Sequence, residues 1–266
     1  HSCLLTIRII RRTYIDSMKD ILLIDKPRGI TSFDCIRILR KRFKRGTKIG
    51  HAGTLDPLAT GLMIIGVGKE TKRLGDYLRL SKTYEAEILL GVQTDTGDRE
   101  GKIVESLQVG KLIRLNEEEI AQILYGMIGK LQLPVPAYSA VKRGGEPLYK
   151  KARRGEKVIP PTKTMEVISV EFLGIADSEN GHDRTHFLDG REMRGPIVKA
   201  RFEVGSGTYI RSLAEEFGRR LARTYFEGKN LRGQGIPATL AALRRTRIGN
   251  FRIEDAESLN SLKRYE

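Results

Sequence analysis

The sequence is poor in cysteine and has no long apolar run. Cys3 and Cys35 are the only two thiols among 266 residues. Two thiols are too few for a disulfide framework or a four-thiolate zinc site, which suits a reducing cytosol. No stretch approaches the roughly 20 apolar residues that a membrane-spanning helix needs, and residues 1–17 lack the order of a signal peptide. These absences predict a cytoplasmic protein with no membrane partner.

Negative charge is also in short supply. The chain has 48 Lys and Arg residues against 33 Asp and Glu, a formal net charge of +15. Such an excess favours a polyanionic partner, because a basic surface attracts phosphate groups. A merely basic, well-solvated surface is the alternative that charge alone leaves open.

Strand and helix patterns alternate irregularly along the chain. Apolar runs at 21–24 and 62–67 predict buried strands, and alternation from Tyr84 to Leu90 and from Val198 to Val204 predicts half-buried ones. The residues after Asn116 have helical spacing, with Ile120 and Leu124 on one face. A second, later helix is predicted with four apolar residues facing inward: Ile210, Leu213, Phe217 and Leu221. Because no regular βαβ rhythm appears, we predict an α+β fold with a mixed, mostly antiparallel central sheet flanked by helices and loops.

The first predicted helix has two different faces. Thr31 or Ser32 can cap it, and four apolar residues recur at helical spacing: Phe33, Ile36, Leu39 and Phe43. The other face carries basic residues, namely Arg37, Arg40, Lys41, Lys44 and Arg45.

We expect one catalytic domain over residues 18–256. Residues 1–17 are treated as an extension outside the fold, since Met18 begins the first recognisable motif. Polar or Gly-rich stretches at about 177–196 and 223–235 predict surface loops. The tail 257–266 is too short for a full C-terminal RNA-binding domain.

The segment GHAGTLDPLATG, residues 50–61, is the most informative stretch. Its glycines permit close approach of a substrate to the backbone. Pro57 keeps Asp56 out of helical geometry and holds the carboxylate on a rigid corner. The segment is not a nucleotide-binding P-loop, because no Gly-Lys-Ser/Thr follows. By itself this pattern is also compatible with an ordinary turn.

The segment and its continuation, GHAGTLDPLATGLMIIGVGKETK, closely resemble the signature of TruB-type pseudouridine synthases. Further motifs of that family follow in order: LLIDKPRGITSFD, KTYEAEILLGVQTDTGDREGKIV, PAYSAVKRGGEPLYKKARRG, GSGTYIRSLAEEFGRRL and LAALRRTRIGNFRIEDA. Together they cover most of residues 18–256. The resemblance implies the pseudouridine synthase fold with a basic thumb loop, here residues 136–163.

The resemblance also implies the chemistry and its residues. Uridine 55 of the tRNA T-loop is flipped out and isomerised, without a cofactor, by attack of Asp56 on C1′ or C6 or by abstraction of a sugar proton. The implied catalytic set is Asp56, Tyr84, Tyr209 and Arg211. The implied substrate contacts are His51, which takes the place of the flipped base, Leu243, Lys26, Lys142, Lys150, Lys151, Arg153 and Arg154. Lys26 and Pro27 are further expected to support the active-site loop.

The implied partner is the tRNA T-arm, bound by a monomer with no obligatory protein partner. Eight basic and two acidic residues from Lys142 to Lys163 leave the thumb a net charge of +6, which suits phosphate contacts. His182, Asp183 and His186 lack a third firm ligand, so we expect no metal. The short tail favours a stand-alone bacterial-type enzyme over guide-RNA-dependent relatives.

Two other functions stay open at this point. One is a T-loop-binding tRNA folding chaperone, and the other is pseudouridylation of T-loop-like hairpins in other RNAs. The presence of Asp56, Tyr84, Tyr209 and Arg211 together argues against a chaperone that has lost catalysis.

Overall fold

The computed structural model describes residues 21–109, 115–176, 186–188, 191–193, 195–226 and 235–259. They fall into two compact units. The first contains the described residues up to Leu80 and from Arg245 onward, and the second spans Ser81–Arg244. The predicted extension 1–17 and the end of the tail lie outside the described residues, and a single catalytic domain over 18–256 stays a prediction.

The elements follow one another irregularly, as the sequence predicts. The strands are β1 (Ile21–Lys26), β2 (Ile49–His51), β3 (Thr60–Val67), β4 (Lys82–Leu90), β5 (Val92–Thr94), β6 (Ile103–Ser106), β7 (Gly129–Pro134), β8 (Lys142–Arg143), β9 (Glu146–Pro147), β10 (Thr162–Ala176), β11 (His186–Leu188), β12 (Arg191–Met193), β13 (Ile197–Val204), β14 (Ala238–Ile248), β15 (Phe251–Arg252) and β16 (Glu257–Ser258). The α-helices are α1 (Ser32–Arg40), α2 (Leu74–Arg79), α3 (Glu117–Tyr125), α4 (Leu148–Arg153) and α5 (Ile210–Phe226), and 3₁₀ turns span Gly68–Arg73 and Ile253–Asp255.

The first unit is built on β1 and β3. These strands pair antiparallel, β2 pairs antiparallel with β3, and β16 adds in parallel to β1. β3 is buried along nearly its whole length, as its apolar run predicts. Burial of such a run drives the strand into the core, at roughly 25 cal/mol per Å² of apolar surface. One core cluster joins Ala52, Leu62, Ile64, Tyr77 and Ile248.

Helix α1 starts with a capping box on Thr31. The Thr31 hydroxyl accepts a hydrogen bond from the Asp34 N–H at 3.1 Å, and the Asp34 carboxylate accepts one from the Thr31 N–H at 2.8 Å. This box satisfies two backbone donors that a helix start leaves without partners. Of the two residues predicted as caps, Thr31 therefore holds the position, and the hydroxyl of Ser32 is available elsewhere.

The apolar face of α1 differs from the predicted one. Phe33 is 60% exposed, whereas Cys35, Ile36 and Leu39 are buried. The buried positions follow Ser32 at the i+3, i+4 and i+7 spacing of one helix face, and Phe33 lies outside that face. Phe33, which the sequence spacing groups with Ile36 and Leu39, therefore does not share their buried face.

The second unit contains four successive antiparallel strands in the order β4, β13, β10, β7. Tyr84, Ala86 and Ile88 are buried on β4, while the intervening residues are partly exposed. This alternation confirms the predicted half-buried strand, and β13 shows the same pattern. The predicted inward residues of α5 are buried as well: Ile210, Leu213, Phe217 and Leu221. Both units thus confirm an α+β fold with mostly antiparallel pairing.

The two predicted loop insertions contain regular structure where they are described. Helix α5 continues to Phe226, so the predicted loop at 223–235 begins inside the helix. Strands β11 and β12 form an antiparallel hairpin within 177–196. Residues 177–185, 189–190, 194 and 227–234 of these segments lie outside the described residues. Among the described helices, none is both long and apolar enough to cross a membrane.

Gly61 tests how tightly the first unit is packed. Its φ is +110°, and an added Cβ would lie 2.2 Å from the Arg245 carbonyl oxygen. Gly129 has a similar φ of +116° with open space around it. We expect Gly61→Ala to lower the free energy of unfolding by at least about 2 kcal/mol more than Gly129→Ala, because only Gly61 combines strain with a backbone clash. Urea unfolding of both variants measures this difference, and equal losses would contradict the packing described.

Candidate active site

Asp56 lies on the loop that joins β2 to β3. Its side chain is partly buried, and its carbonyl oxygen accepts a hydrogen bond from the Ala59 N–H at 3.0 Å. Pro57 follows directly and restricts the backbone at this corner. Leu55 and Leu58, on either side, are buried at 3% and 1% exposure. The carboxylate is thus carried by a short turn whose neighbouring apolar side chains anchor it in the core.

Lys26 supports this turn from below. It is fully buried, and its ammonium group donates to the carbonyl oxygens of Ile30 at 2.7 Å, Pro27 at 3.0 Å and Pro57 at 3.3 Å. The Pro57 oxygen also accepts the Gly29 N–H at 2.9 Å. A buried charge is tolerable only when it is hydrogen-bonded in this way. The geometry fits the expected support of the loop and not the expected contact of Lys26 with substrate.

Ser32 holds the residue before Asp56. Its hydroxyl accepts the Leu55 N–H at 2.8 Å and donates to the Leu55 carbonyl at 3.0 Å. Ser32 is 2% exposed, so water does not compete for these hydrogen bonds. Both backbone groups of Leu55 are therefore satisfied by one side chain, which fixes the backbone at the entry to Asp56.

Arg245 holds the loop at Gly53. It is 1% exposed, and it donates through Nη2 to the Gly53 carbonyl at 3.0 Å and through Nε to the Leu62 carbonyl at 2.7 Å. Gly53 has a φ of +96°, in the region that favours glycine. The sequence analysis missed this residue, because its segment RRTR contains three arginines with no pattern that separates a buried one from exposed ones.

His51 ends β2 and is partly buried. Burial, and next the positive charge of Arg245, lower the pKa of the imidazole below its ordinary value. Among the described residues, its buried Nδ1 has no hydrogen-bond partner. The lowered pKa keeps the ring uncharged near neutral pH.

In the second unit, Arg211 is fixed by the loop that follows β5. It donates through Nη1 to the Thr96 carbonyl at 2.8 Å and through Nη2 to the Tyr138 carbonyl at 3.1 Å. It also pairs with Asp98 at 3.8 Å, and both side chains are 6% exposed. A guanidinium held at several donor groups keeps one orientation. The expected catalytic arginine is thus a rigid, buried cation.

The three remaining predicted contacts are mostly buried. Tyr84 is 9% exposed and Leu243 is 8% exposed, whereas Tyr209 is partly buried at the start of α5. Phe202 faces Tyr84 across the β4–β13 pair. Tyr84 and Leu243 therefore belong to the core of their unit, with a small part of each surface exposed.

The thumb is a hairpin followed by a short helix. β8 and β9 pair through a two-residue turn in which Gly144 and Gly145 both have positive φ, as a tight hairpin turn requires. Leu148 is fully buried and begins α4. Of the predicted RNA contacts, Lys142, Lys150 and Arg153 are exposed and Lys151 is partly buried.

Arg154 differs from these basic residues because two carboxylates engage it. It forms a bidentate pair with Glu146, at 2.6 and 2.8 Å, and a contact with Glu156 at 2.7 Å. The hydrogen bond from Arg154 lowers the pKa of Glu146 and raises that of Arg154 itself. Arg154 thereby pairs with both acidic residues of the thumb, and among the described residues neither of them forms a salt bridge with the exposed cations Lys142, Lys150 and Arg153.

The predicted residues are divided between the units. Asp56, His51 and Lys26 belong to the first; Tyr84, Tyr209, Arg211, Leu243 and the thumb belong to the second. Their action on one substrate is therefore a proposal. His182 and Asp183 lie outside the described residues, and the side chain of His186 is not described.

The pKa of His51 predicts a pH effect on stability. The unfolded chain binds the imidazole proton more tightly than the folded chain. The contribution of His51 to the free energy of unfolding is therefore fully present above the unfolded pKa of about 6.5, and it is lost as the pH falls toward the lower folded pKa. NMR titration of the imidazole should give a pKa below 6.5. Urea unfolding at several pH values should show a loss on acidification that is smaller in His51→Gln; an equal loss in both proteins would contradict this assignment.

Comparison with known proteins adds a second line of evidence. Residues 40–210 match the family described as TruB family pseudouridylate synthase, N-terminal domain. The tRNA pseudouridine synthase B of Xanthomonas axonopodis pv. citri is 40% identical over 242 residues, which cover 91% of this chain and 67% of that protein. The protein of the same name from Aromatoleum aromaticum is 36% identical over the same shares.

Solved structures agree on the fold. The crystal structure of a Cbf5–Nop10–Gar1 complex matches with a TM-score of 0.60 and 26% identity, and an H/ACA RNP bound to a substrate RNA containing 2′-deoxyuridine matches with 0.57 and 24%. Each match covers 92% of this chain, which spans about half the length of those chains. The identity to the second structure supports the fold alone. With the family match over residues 40–210, these findings establish that the chain belongs to the TruB family of pseudouridylate synthases, isomerases that convert uridine to pseudouridine.

Proposed function

We propose that the chain isomerises uridine 55 in the T-loop of tRNA, with Asp56 as the catalytic carboxylate. The relatives named tRNA pseudouridine synthase B support tRNA as the substrate. The observation that carries the proposal is the support of the Asp56 loop at three backbone points by Lys26, Ser32 and Arg245. Such fixation favours catalysis, because the entropy cost of orienting the catalytic group is met by folding and not during the reaction.

The reaction is a rearrangement within one nucleotide. The bond between C1′ and N1 breaks, the uracil turns, a bond forms between C1′ and C5, and the C5 proton is lost while N1 gains one. Nothing is oxidised or reduced, and no group leaves the RNA. The chemistry therefore needs a carboxylate that attacks or accepts a proton and does not need a redox cofactor or ATP.

Access to the base requires that the uridine leaves its stack, which costs a few kcal/mol. Stacking on an aromatic ring returns about 1–3 kcal/mol per base. We assign this role to Tyr84, whose exposed fraction of 9% offers a ring edge or face to the base. His51 fills the space that the base vacates, and its uncharged ring suits stacking. Tyr209, Leu243 and Arg211 keep the roles that the family resemblance implies.

The thumb binds the RNA backbone in this proposal. Its exposed cations include Lys142, Lys150 and Arg153, and its two acidic residues pair with Arg154. Phosphate contacts of this kind position RNA and respond to its shape more than to its sequence. A structured hairpin such as the T-arm is the substrate that such a surface fits.

Asp56→Asn should reduce pseudouridine formation in unmodified tRNA transcript at least about 10³-fold, because an amide lacks the anionic oxygen and removal of a catalytic group causes losses of this size. Product is mapped chemically at the T-loop uridine, without any cofactor, and tRNA affinity is measured in parallel. Asp76→Asn, an exposed residue of the same unit, is the matched control and should keep full turnover.

Other outcomes of this assay separate the alternatives. Retained turnover in Asp56→Asn would exclude the catalytic role. Binding of tRNA without product by the parent chain would support a T-loop-binding chaperone. If pseudouridine appears only in other RNA hairpins, those hairpins and not tRNA are the substrate.

Ser32→Ala tests whether the fixation of the loop matters for catalysis. The change leaves two buried backbone groups of Leu55 without partners, so we expect roughly tenfold slower turnover at saturating tRNA together with a loss of about 1–3 kcal/mol in stability. Thr31→Ala removes the cap of the same helix and should cost about 1 kcal/mol in stability while turnover stays unchanged. Steady-state kinetics and urea unfolding of both variants separate the two effects. Equal turnover in both would show that Ser32 is merely structural.

A further inference from the structure

A second basic surface lies in the first unit, whereas the thumb belongs to the second. It is formed by the turn from the end of α1 to the start of β2. Six basic side chains on this turn are exposed, and no acidic residue interrupts them: Arg40, Lys41, Arg42, Lys44, Arg45 and Lys48. All of them except Arg42 line a cleft, and we call the six residues together with this space the basic cleft.

The cations of the basic cleft are not neutralised by neighbours. Among the described residues, none of the six side chains forms an ion pair or hydrogen bond. Other arginines of the same unit behave differently, since Arg37 pairs with Asp34, and Arg73 contacts Glu70 at 3.2 Å. Like charges at this spacing repel one another. The arrangement therefore becomes favourable when a polyanion binds.

Hydrogen bonds hold the backbone of the turn that carries these basic side chains. The Thr47 N–H donates to the Lys44 carbonyl at 3.0 Å, and the Gly68 N–H donates to the Lys48 carbonyl at 2.8 Å. The cleft has a volume of about 720 Å³ and is lined by Arg40, Lys41, residues 43–50 and Thr71. Phe43 and Ile49 contribute apolar surface and Thr47 a hydroxyl group, whereas the Thr71 hydroxyl donates to the Gly68 carbonyl at 2.7 Å. A concave basic surface with a hydroxyl group is suited to phosphate and ribose groups.

The position of the cleft in the chain links it to the proposed RNA site. Lys48, Ile49 and Gly50 line it, and the next residue on β2 is His51. At about 3.3 Å per residue, Lys48 lies roughly 10 Å along the strand from His51. An RNA loop in which His51 takes the place of the flipped base therefore carries its backbone within reach of these cations.

We infer that the basic cleft is a second phosphate-binding surface, which holds the sugar–phosphate backbone of the tRNA outside the thumb contact. This inference rests on the proposed function. It extends that function, because the thumb and the cleft belong to different units and each supplies its own cations. Binding at the cleft contributes affinity and orientation and leaves the chemical step to Asp56.

Lys44→Gln combined with Arg45→Gln tests the inference. Each lost phosphate contact lowers the slope of log affinity against log salt by about 1, so the double variant should show a slope reduced by about 2 and an affinity for unmodified tRNA transcript roughly tenfold lower. Turnover at saturating tRNA should stay at the parent value. Thermal melting should be unchanged or higher, because two repelling charges are removed.

The matched control is Arg247→Gln combined with Arg252→Gln. These exposed residues face each other on β14 and β15 of the same unit, so the pair removes equal charge elsewhere. A second double variant, Lys150→Gln with Arg153→Gln, reports on the thumb. The inference holds when the cleft variant loses salt slope and the Arg247/Arg252 control does not.

The opposite results overturn it. An unchanged slope in the cleft variant, or an equal loss in the Arg247/Arg252 control, would reduce the cleft to general surface charge. Binding of the parent chain to anionic phosphatidylglycerol vesicles that the cleft variant loses, with tRNA binding unchanged, would assign the cleft to a membrane surface. Normal turnover of the parent chain in any of these cases leaves the proposed function intact, whereas absence of tRNA binding and product in the parent removes both.

Discussion

The support of one loop by three buried polar side chains is the constraint on which the site depends. Lys26, Ser32 and Arg245 each satisfy main-chain groups of the segment 53–57. The three donors come from β1, α1 and β14, so elements far apart in the chain converge on this turn. Removing any one partner would leave buried backbone groups unsatisfied at a cost of about 1–3 kcal/mol. The position of Asp56 is therefore a property of the whole first unit.

Charge compensation distinguishes the structural from the binding cations. Buried or paired cations hold the fold together, as Lys26 does under the Asp56 loop and Arg154 does between the two thumb glutamates. The exposed cations of the thumb and of the basic cleft face solvent instead. The basic residues behind the net charge of +15 are thus of at least two kinds, buried or paired cations and exposed ones. RNA phosphates can neutralise the exposed cations.

The strands were more predictable from the sequence than the positions of individual side chains. Strands β3, β4 and β13 followed from apolar runs and alternation, because burial on one or both faces leaves a direct pattern. Phe33 was grouped with the apolar face of α1 although it is exposed. A helix of only nine residues is too short to define the direction of its apolar face from spacing alone. Support of the loop by Lys26 was expected from the family resemblance, but its three carbonyl partners were not, because the sequence does not show which backbone groups the fold brings to a lysine.

The sequence by itself predicted the family and the mostly antiparallel α+β fold, and it supplied Asp56 as the proposed catalytic carboxylate, because motifs and periodicity are local properties of the chain. Tertiary structure alone decided that Ser32 caps nothing and holds Leu55, that Arg245 lies beneath Gly53, and that Arg154 is neutralised while Lys44 and Arg45 are not. These differences arise from contacts between residues far apart in the chain, since burial and pairing depend on which partners the fold brings within hydrogen-bond distance.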